Sequence, residues 1–226
     1  MNRKTLMKLA AAGFALGITA TGCSGKGPLA TASSKVADRA EAAAKSAGSA
    51  RVALEKGKAA KAVSFAEAAV AASPRDAGYR ALLGQAYLAS GRFASAETAL
   101  GEAMDLGARD ANTLIALTLA HIARGKNAEA LTLLKNNSDG VPASDAGLAL
   151  ALAGDTESAC YVLSAAAREP DADARTRQNL ALALALSGRW AQARILASQD
   201  LSLAKIEGRM TEWSKLAEAS DQQVRV

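Results

Sequence analysis

A 34-residue period constrains the fold of this chain more than any other feature of its sequence. Gly91 and Gly125 are separated by one such period, and so are Gly154 and Gly188. Five positions after each glycine there is an alanine, namely Ala96, Ala130, Ala159 and Ala193. Glycine ends a helix, and a small residue at a constant distance lets the next helix pack closely on the one before. A two-helix unit of this length buries its apolar face only by stacking on its neighbours.

The composition agrees with helices that pack through small residues. Half of the residues are apolar, but aromatic residues make up only 4% of the chain. Alanine is very common, and it is the best helix former. Runs of Val, Ile, Thr and aromatic residues, which favour strands, are nearly absent. The sequence therefore predicts an all-α protein.

The repeat resembles the tetratricopeptide repeat, which has the same period and the same pair of helices. The unit around Gly91 matches the family consensus at Leu83, Gly84, Tyr87, Leu100 and Ala103. The resemblance implies a solenoid of about five helix pairs, with units at approximately 43–76, 77–110, 111–144, 145–173 and 174–203.

One unit is shorter than the others. Gly125 and Gly154 lie closer together than one full period, and the difference means that the fourth unit lacks five residues. We expect the loss to fall in its first helix, around residues 148–153. The consequence should be a local kink or a closer approach of neighbouring units.

The segment 205–220 is predicted to be an amphipathic capping helix. Ile206, Met210, Trp213 and Ala217 fall on one stripe of this helix. A solenoid needs such a helix to cover the apolar face of its last repeat. Trp213 also has a second interpretation, as an anchor for a binding partner.

The first 22 residues have the pattern of an export signal. Arg3, Lys4 and Lys8 precede an apolar stretch at 9–20, and no acidic residue occurs before Cys23. Twelve apolar residues are too few to span a bilayer, which takes about 20. We therefore predict a signal peptide at 1–22, a lipid-anchored tether at 23–33, a repeat domain at 34–220 and a tail at 221–226.

The end of this signal has two interpretations. The tetrapeptide Ala-Thr-Gly-Cys at 20–23 resembles a bacterial lipobox, which implies that the thiol of Cys23 accepts a diacylglyceryl group. Ser24 follows, and by resemblance to bacterial sorting rules it favours the outer membrane. Ala20 and Gly22 also fit ordinary signal peptidase, which would release a soluble periplasmic protein.

Neither nucleic-acid binding nor catalysis is indicated. The chain has a net charge of +5, but the signal segment holds much of the basic excess, so the rest is nearly balanced. The single histidine, His121, takes the repeat position of Tyr87 and is expected to be packed. No set of side chains predicts a metal site, a cofactor or a Ser–His–Asp triad. We predict that the protein is not an enzyme.

The last repeat resembles a narrower group of proteins. It contains Arg-Gln-Asn-Leu-Ala at 177–181, and Asp200-Leu201 follows it. This pattern is similar to the TadD-like lipoproteins of the tight adherence (Flp) pilus system, which combine a lipobox with tetratricopeptide repeats. The resemblance implies an outer-membrane lipoprotein that supports pilus or secretion assembly through protein partners. The alternative is a soluble periplasmic chaperone-like binding module unrelated to pili.

In tetratricopeptide solenoids the first helices line a concave groove. Carried over by register, the groove residues are Gln85, Leu88, Asn112, Ile115, Leu119, Ile122, Gln178 and Leu182. The first helix of the third unit is apolar nearly all round, and such a helix must bury all its faces. We therefore expect an apolar groove that binds an amphipathic helix or an apolar peptide. Alternatively, residues 34–50 or the terminal helix fill the groove from within the chain.

Overall fold

A computed structural model describes the backbone of residues 28–224 and, within this range, the side chains of residues 35–137 and 139–218. The predicted signal peptide and Cys23 lie outside the described residues. The chain divides into a short unit, Met1–Val36, and a long unit, Ala37–Val226. Of the short unit only the start of one helix is described, and the repeats lie in the long unit. No helix within residues 28–224 is long and apolar enough to cross a membrane.

Five helix pairs and one terminal helix make up the described chain, which contains no strand. The prediction of an all-α tetratricopeptide solenoid with about five pairs and a C-terminal capping helix is thereby confirmed. The helices are α1 (Pro28–Glu55), α2 (Ala59–Ala72), α3 (Ala77–Ala89), α4 (Phe93–Asp105), α5 (Ala111–Ala123), α6 (Asn127–Asn136), α7 (Ala143–Leu152), α8 (Thr156–Ala166), α9 (Ala174–Leu186), α10 (Trp190–Ala197) and α11 (Leu203–Val224).

A glycine in the left-handed region follows the first helix of every pair. Only glycine adopts these backbone angles without steric cost. After α3, the backbone N–H of Arg92 donates to the carbonyl of Tyr87 at 2.9 Å and closes the helix end. The first pair has the same turn as the others. The φ angles are 64° at Gly57, 73° at Gly91, 72° at Gly125, 95° at Gly154 and 79° at Gly188.

Aspartate side chains begin the first helices of three pairs. The carboxylates of Asp76, Asp110 and Asp173 accept the backbone N–H groups of the residues three positions later, at 2.9, 3.1 and 2.8 Å. Each such cap stabilises a helix by about 1 kcal/mol. The fourth pair has Pro142 at this place and no side-chain cap.

The first helices form one layer of the solenoid. Along this layer α3 contacts α5, α5 contacts α7, α7 contacts α9, and α9 contacts α11. The second helix of a pair contacts the first helix of the next pair, as α2 contacts α3 and α4 contacts α5. The terminal helix α11 therefore takes the place of a sixth first helix, as a cap would.

The five-residue loss is shared between α6, the second helix of the third pair, and α7, the first helix of the fourth pair. This corrects the expectation that the loss falls in the first helix of the fourth unit alone. Helices α6 and α7 have 10 residues each, whereas α4 and α5 have 13. At the end of α6 the side-chain amide of Asn137 donates to the carbonyl of Leu133 at 2.8 Å. Helices α6 and α7 touch only slightly, while α7 packs extensively on α9. The closer approach of units expected here therefore occurs between the fourth and fifth pairs.

Residues 28–33, which are part of the predicted tether at 23–33, form the start of α1. Proline suits the first turn of a helix, because its missing N–H has no partner there and its φ is already helical. Pro28 occupies this place, and the following Leu-Ala-Thr-Ala-Ser contains no helix breaker.

Candidate partner-binding face

The predicted groove residues lie on α3, α5 and α9. We call the side of the layer of α3, α5, α7 and α9 that carries them the first-helix face. Seven of the eight are half-buried and Asn112 is exposed. Seven of these residues form three groups with different surroundings, and Leu88 lies apart from them. The groups lie at the N-terminal end, the centre and the C-terminal end of the layer.

At the N-terminal end, Gln85 and Asn112 line one cavity of about 370 Å³. Arg51, Leu54 and Glu55, from the end of α1, line the same cavity. These three residues were absent from the predicted groove because the first repeat has a degenerate sequence. The signal that would find them is the spacing of the turn glycines, which makes Arg51 the equivalent of Gln85, one period earlier. This end of the first-helix face is polar and charged.

At the centre, Ile115, Leu119 and Ile122 form a half-buried apolar stripe along α5. The opposite side of this helix is fully buried in the repeat. There the hydroxyl of Thr118 donates to the carbonyl of Leu114 at 2.8 Å, so its burial leaves no unpaired donor. Leu148 on α7 has the repeat position of Leu119 and is also half-buried. The centre of the face therefore carries apolar side chains that the core does not fully cover.

Leu88 belongs as much to the core as to the surface. It packs against the buried cluster that joins α4 and α5, which contains Ala96, Leu100, Ala116, Leu117 and Ala120. Its contribution to a partner site is therefore smaller than that of the α5 stripe.

At the C-terminal end, Gln178 and Leu182 contact other parts of the chain. The side-chain amide of Gln178 lies 3.4 Å from the Asp200 carboxylate. Leu182 packs on the cluster that contains Trp213 of α11. Trp213 itself is only 6% exposed, so it serves the cap and does not stand out as an anchor. The terminal helix α11 thus covers α9, which is the first helix of the fifth pair.

The residues of the motif at 177–181 and 200–201 contact one another at this end. Arg177 donates to both carboxylate oxygens of Asp200, at 2.5 and 3.1 Å. These hydrogen bonds lower the pKa of Asp200 below its ordinary range, although partial burial opposes them. The residue after Asp200, Leu201, packs on the Trp213 cluster. Both halves of the motif therefore have a structural role, in joining α9 to the loop before the cap.

A cluster of charges joins the second and third pairs. The carboxylate of Glu97 on α4 contacts Arg124, lies 2.7 Å from Lys126 Nζ and lies 3.9 Å from His121 Nδ1. His121 is packed at this junction, as predicted. Burial raises the pKa of Glu97, but hydrogen bonds from Lys126 and Arg124 outweigh it and bring the pKa below its ordinary value. In the preceding junction, Tyr87 donates to Glu67 at 2.8 Å.

Acid is expected to weaken the Glu97 junction. The folded pKa of Glu97 lies below its ordinary value of 4.5, so its stabilising effect is complete above that value and is lost as the pH falls through the folded pKa. Glu97→Gln should therefore melt at a lower temperature than wild type at about pH 6, and the difference should shrink towards about pH 3. For a domain of this size, 1 kcal/mol corresponds to roughly 2–4 °C.

Thermal melts followed by circular dichroism across this pH range would measure the effect. Glu129→Gln, which changes an exposed carboxylate on α6, is the control and should melt in parallel with wild type. A Glu97→Gln curve that is also parallel to wild type would contradict the role given to Glu97.

The side chains described in the structure do not assemble a metal site: no group of three or more His, Cys, Asp or Glu residues among them could hold an ion. Cys160, the free cysteine of the described region, is buried on α8 in the core shared with α9.

One segment of the chain is similar to a known repeat family. Residues 53–116 match the tetratricopeptide repeat family. No curated protein matches the chain. A similar solved structure is the crystal structure of YrrB, "a TPR protein with an unusual peptide-binding site", at 15% identity and a TM-score of 0.48, over 76% of this chain and 88% of that one. The described chain is thus an all-helical solenoid of tetratricopeptide type, and its residues 53–116 carry the sequence signature of that repeat family.

Proposed function

We propose that this protein is a non-enzymatic scaffold that binds an apolar or amphipathic segment of a partner protein on its first-helix face. The observation that carries the proposal is the half-buried stripe of Ile115, Leu119 and Ile122 on α5. One side of α5 is already buried in the repeat. The repeat core therefore does not require the apolar residues on the opposite side of this helix. Contiguous apolar surface of this kind usually marks an interaction site.

The kind of partner follows from the shape and chemistry of the face. Residues spaced by four and three along one helix present a ridge, and neighbouring first helices give the ridge apolar flanks such as Leu148. An amphipathic helix or an apolar peptide suits such a surface. The polar cavity at Gln85 and Asn112, with Arg51 and Glu55 beside it, would then bind polar groups at one end of the same segment.

The double substitution Leu119→Asp with Ile122→Asp tests the face. Two carboxylates on the stripe should weaken partner binding at least tenfold in Kd, or by about 1.4 kcal/mol of binding free energy, and recovery of envelope partners in a pull-down should fall. The matched control is Ile195→Asp with Leu203→Asp, since Ile195 is 67% and Leu203 77% exposed. It should leave recovery unchanged.

The same pair of variants separates an open face from one that the chain itself fills. If the first-helix face is open, Leu119→Asp with Ile122→Asp should keep the melting temperature within a few degrees of wild type. Collapse of the melt together with loss of binding would mean that the stripe belongs to the core. Full partner recovery by a folded variant would defeat the proposal.

We further propose that Cys23 is lipidated, that the protein is held at the outer membrane facing the periplasm, and that it supports assembly of a tight adherence (Flp) type pilus. Support comes from the lipobox-like residues 20–23 and from the motif at 177–181 and 200–201. The contacts within this motif give it a structural role, so the pilus assignment needs its own test.

Two measurements test the lipidation of Cys23 and the pilus role separately. Mass spectrometry of the mature protein should show an acylated N-terminus at Cys23. A free N-terminus at or after that residue would favour the alternative, a soluble periplasmic chaperone-like module. Deletion of the gene should abolish surface pili, and normal piliation in the deletion strain would exclude the pilus role while leaving the scaffold proposal standing.

A further inference from the structure

The first repeat presents an uncovered surface that later repeats use to bind a helix. In the second pair, Leu82 and Ala86 of α3 share a buried core with Ala62 and Ala66 of α2. The equivalent residues of the third pair, Ala116 and Ala120, share a core with Ala96 and Leu100 of α4. A first helix therefore packs with this side against the second helix of the pair before it. In the first pair, the equivalent side of α1 lies at Gly48 and Val52.

The exposure of two apolar residues shows that this side lacks its usual cover. Val52 is 45% exposed, whereas its equivalents Ala86 and Ala120 are fully buried. Phe65 on α2 is 40% exposed, and its equivalent in the second pair, Ala99, is 5% exposed. We call the surface around Val52 and Phe65 the N-terminal end face. In later repeats this side of the first helix packs on the second helix of the preceding pair. Among residues 37–224, no helix packs on it in the first pair.

Lysines surround the apolar centre of this face. A cavity of about 470 Å³ lies between α1 and α2, and its lining includes Val52, Phe65 and four lysines. No carboxylate of the described chain lines it. The ion pairs found among the described residues involve none of these lysines, which are Lys45, Lys56, Lys58 and Lys61.

A cap whose only role is to keep the end of a solenoid soluble would be polar throughout. The N-terminal end face instead has an apolar centre and a rim of one charge. An apolar centre with a polar rim is the usual anatomy of a protein interface. The uniform positive charge selects for partners with the opposite sign.

We propose that the N-terminal end face binds an acidic amphipathic helix of a partner protein, in the place that the second helix of a preceding repeat occupies at later repeats. A helix is the expected occupant because the equivalent surfaces of α3 and α5 each pack on a helix. Its apolar residues contact Val52 and Phe65, and its carboxylates pair with the lysines of the rim.

A synthetic peptide gives a direct test on the full chain. The probe is a fluorescein-labelled 18-residue amphipathic helix with Leu in one stripe and Glu on both sides of it, and binding is read by fluorescence anisotropy. Two peptides serve as controls: one has Lys in place of every Glu, and the other has the same composition in scrambled order. The acidic amphipathic peptide should bind at least tenfold more tightly than either control, and its affinity should fall as salt rises.

Variants of the protein locate the binding. Lys58→Glu with Lys61→Glu should weaken binding of the acidic peptide at least tenfold, and Phe65→Asp should do the same. The matched charge control, Lys205→Glu with Lys215→Glu, changes two exposed lysines of α11 and should have no effect. All of these positions are exposed, and circular dichroism would verify that each variant remains helical.

Several outcomes would overturn the proposal. They are equal affinity for the scrambled peptide, retention of binding by the folded Lys58→Glu with Lys61→Glu variant, and binding of phosphatidylglycerol vesicles without binding of the acidic peptide. The last result would make the face a membrane contact. The variant Leu119→Asp with Ile122→Asp changes only the first-helix face and should retain the tight binding of the acidic peptide. Loss of that binding in this variant, together with its retention in Lys58→Glu with Lys61→Glu, would place the peptide on the first-helix face and overturn the inference without affecting the proposed function.

Discussion

Leu100→Ala is expected to lower the free energy of unfolding by about 2–5 kcal/mol, the usual cost of truncating a large buried aliphatic side chain. Leu100 is completely buried on α4. It packs against Ala116, Leu117 and Ala120 of α5, and it also lies against α3 at Gly84. One side chain thus joins the two helices of its own pair to the next pair. Gly84, Ala116 and Ala120 carry at most one side-chain carbon, so they cannot reach into the cavity that alanine would leave.

Urea unfolding followed by circular dichroism would measure this loss. Leu203→Ala is the matched control, since it removes the same atoms from a side chain that is 77% exposed. Its effect should stay within about 0.5 kcal/mol, as for most surface substitutions. If the two variants were equally stable, Leu100 would not have the central place in the core that its burial indicates.

Gly84→Ala is expected to destabilise the protein by about 1–3 kcal/mol through overpacking, although alanine normally stabilises a helix relative to glycine. A Cβ atom at this position would lie 2.4 Å from Cγ and 2.9 Å from Cδ2 of Leu100. Helices α3 and α4 would have to move apart to accommodate it. The same contact occurs in the fourth pair, where a Cβ at Gly147 would lie 2.4 Å from Cγ of Leu163.

The control for this prediction is Gly101→Ala on α4. A Cβ at Gly101 would meet no atom within 4 Å, so the change should stabilise the protein by roughly 0.5–1 kcal/mol through helix propensity alone. Opposite signs for Gly84→Ala and Gly101→Ala in the same urea titration would separate packing from propensity. A stabilising Gly84→Ala would contradict the close approach of α3 and α4.

A double-mutant cycle tests whether the Leu100 side chain causes the destabilisation by Gly84→Ala. Leu100→Ala removes the atoms that a Cβ at Gly84 would meet, so the double variant should lose less than the sum of the two single losses. Strict additivity would mean that Gly84→Ala acts through something other than Leu100.

Much of the fold could be predicted because its signals are local. A glycine such as Gly91 ends a helix by its own backbone freedom, and an aspartate such as Asp110 begins one by bonding the N–H three residues later. Repetition of these signals at a constant period is enough to place helix pairs in order. The same logic extends to the first pair, where Gly57 has the turn geometry of its equivalents even though the surrounding sequence is degenerate.

Other features depend on contacts between distant residues and could not be predicted in this way. The five-residue loss fell on both α6 and α7, and α7 packs extensively on α9 but only slightly on α6. The candidate face also includes Arg51 and Glu55 of α1, a helix whose repeat positions the groove prediction did not assign. The repeat register predicts that Gln178 lines the groove. In the structure, the loop that contains Asp200 lies close enough for the Asp200 carboxylate to accept a hydrogen bond from the Gln178 amide.

The sequence by itself determined where the helices lie, how they pair and that they stack, since backbone angles, caps and apolar periodicity act over a few residues. Only the tertiary structure decided which apolar side chains remain uncovered. Phe65 and Ala99 have the same repeat position, yet the first is exposed and the second is buried. The reason is that burial at this position depends on the presence of a preceding repeat, which the second pair has and the first lacks among residues 37–224.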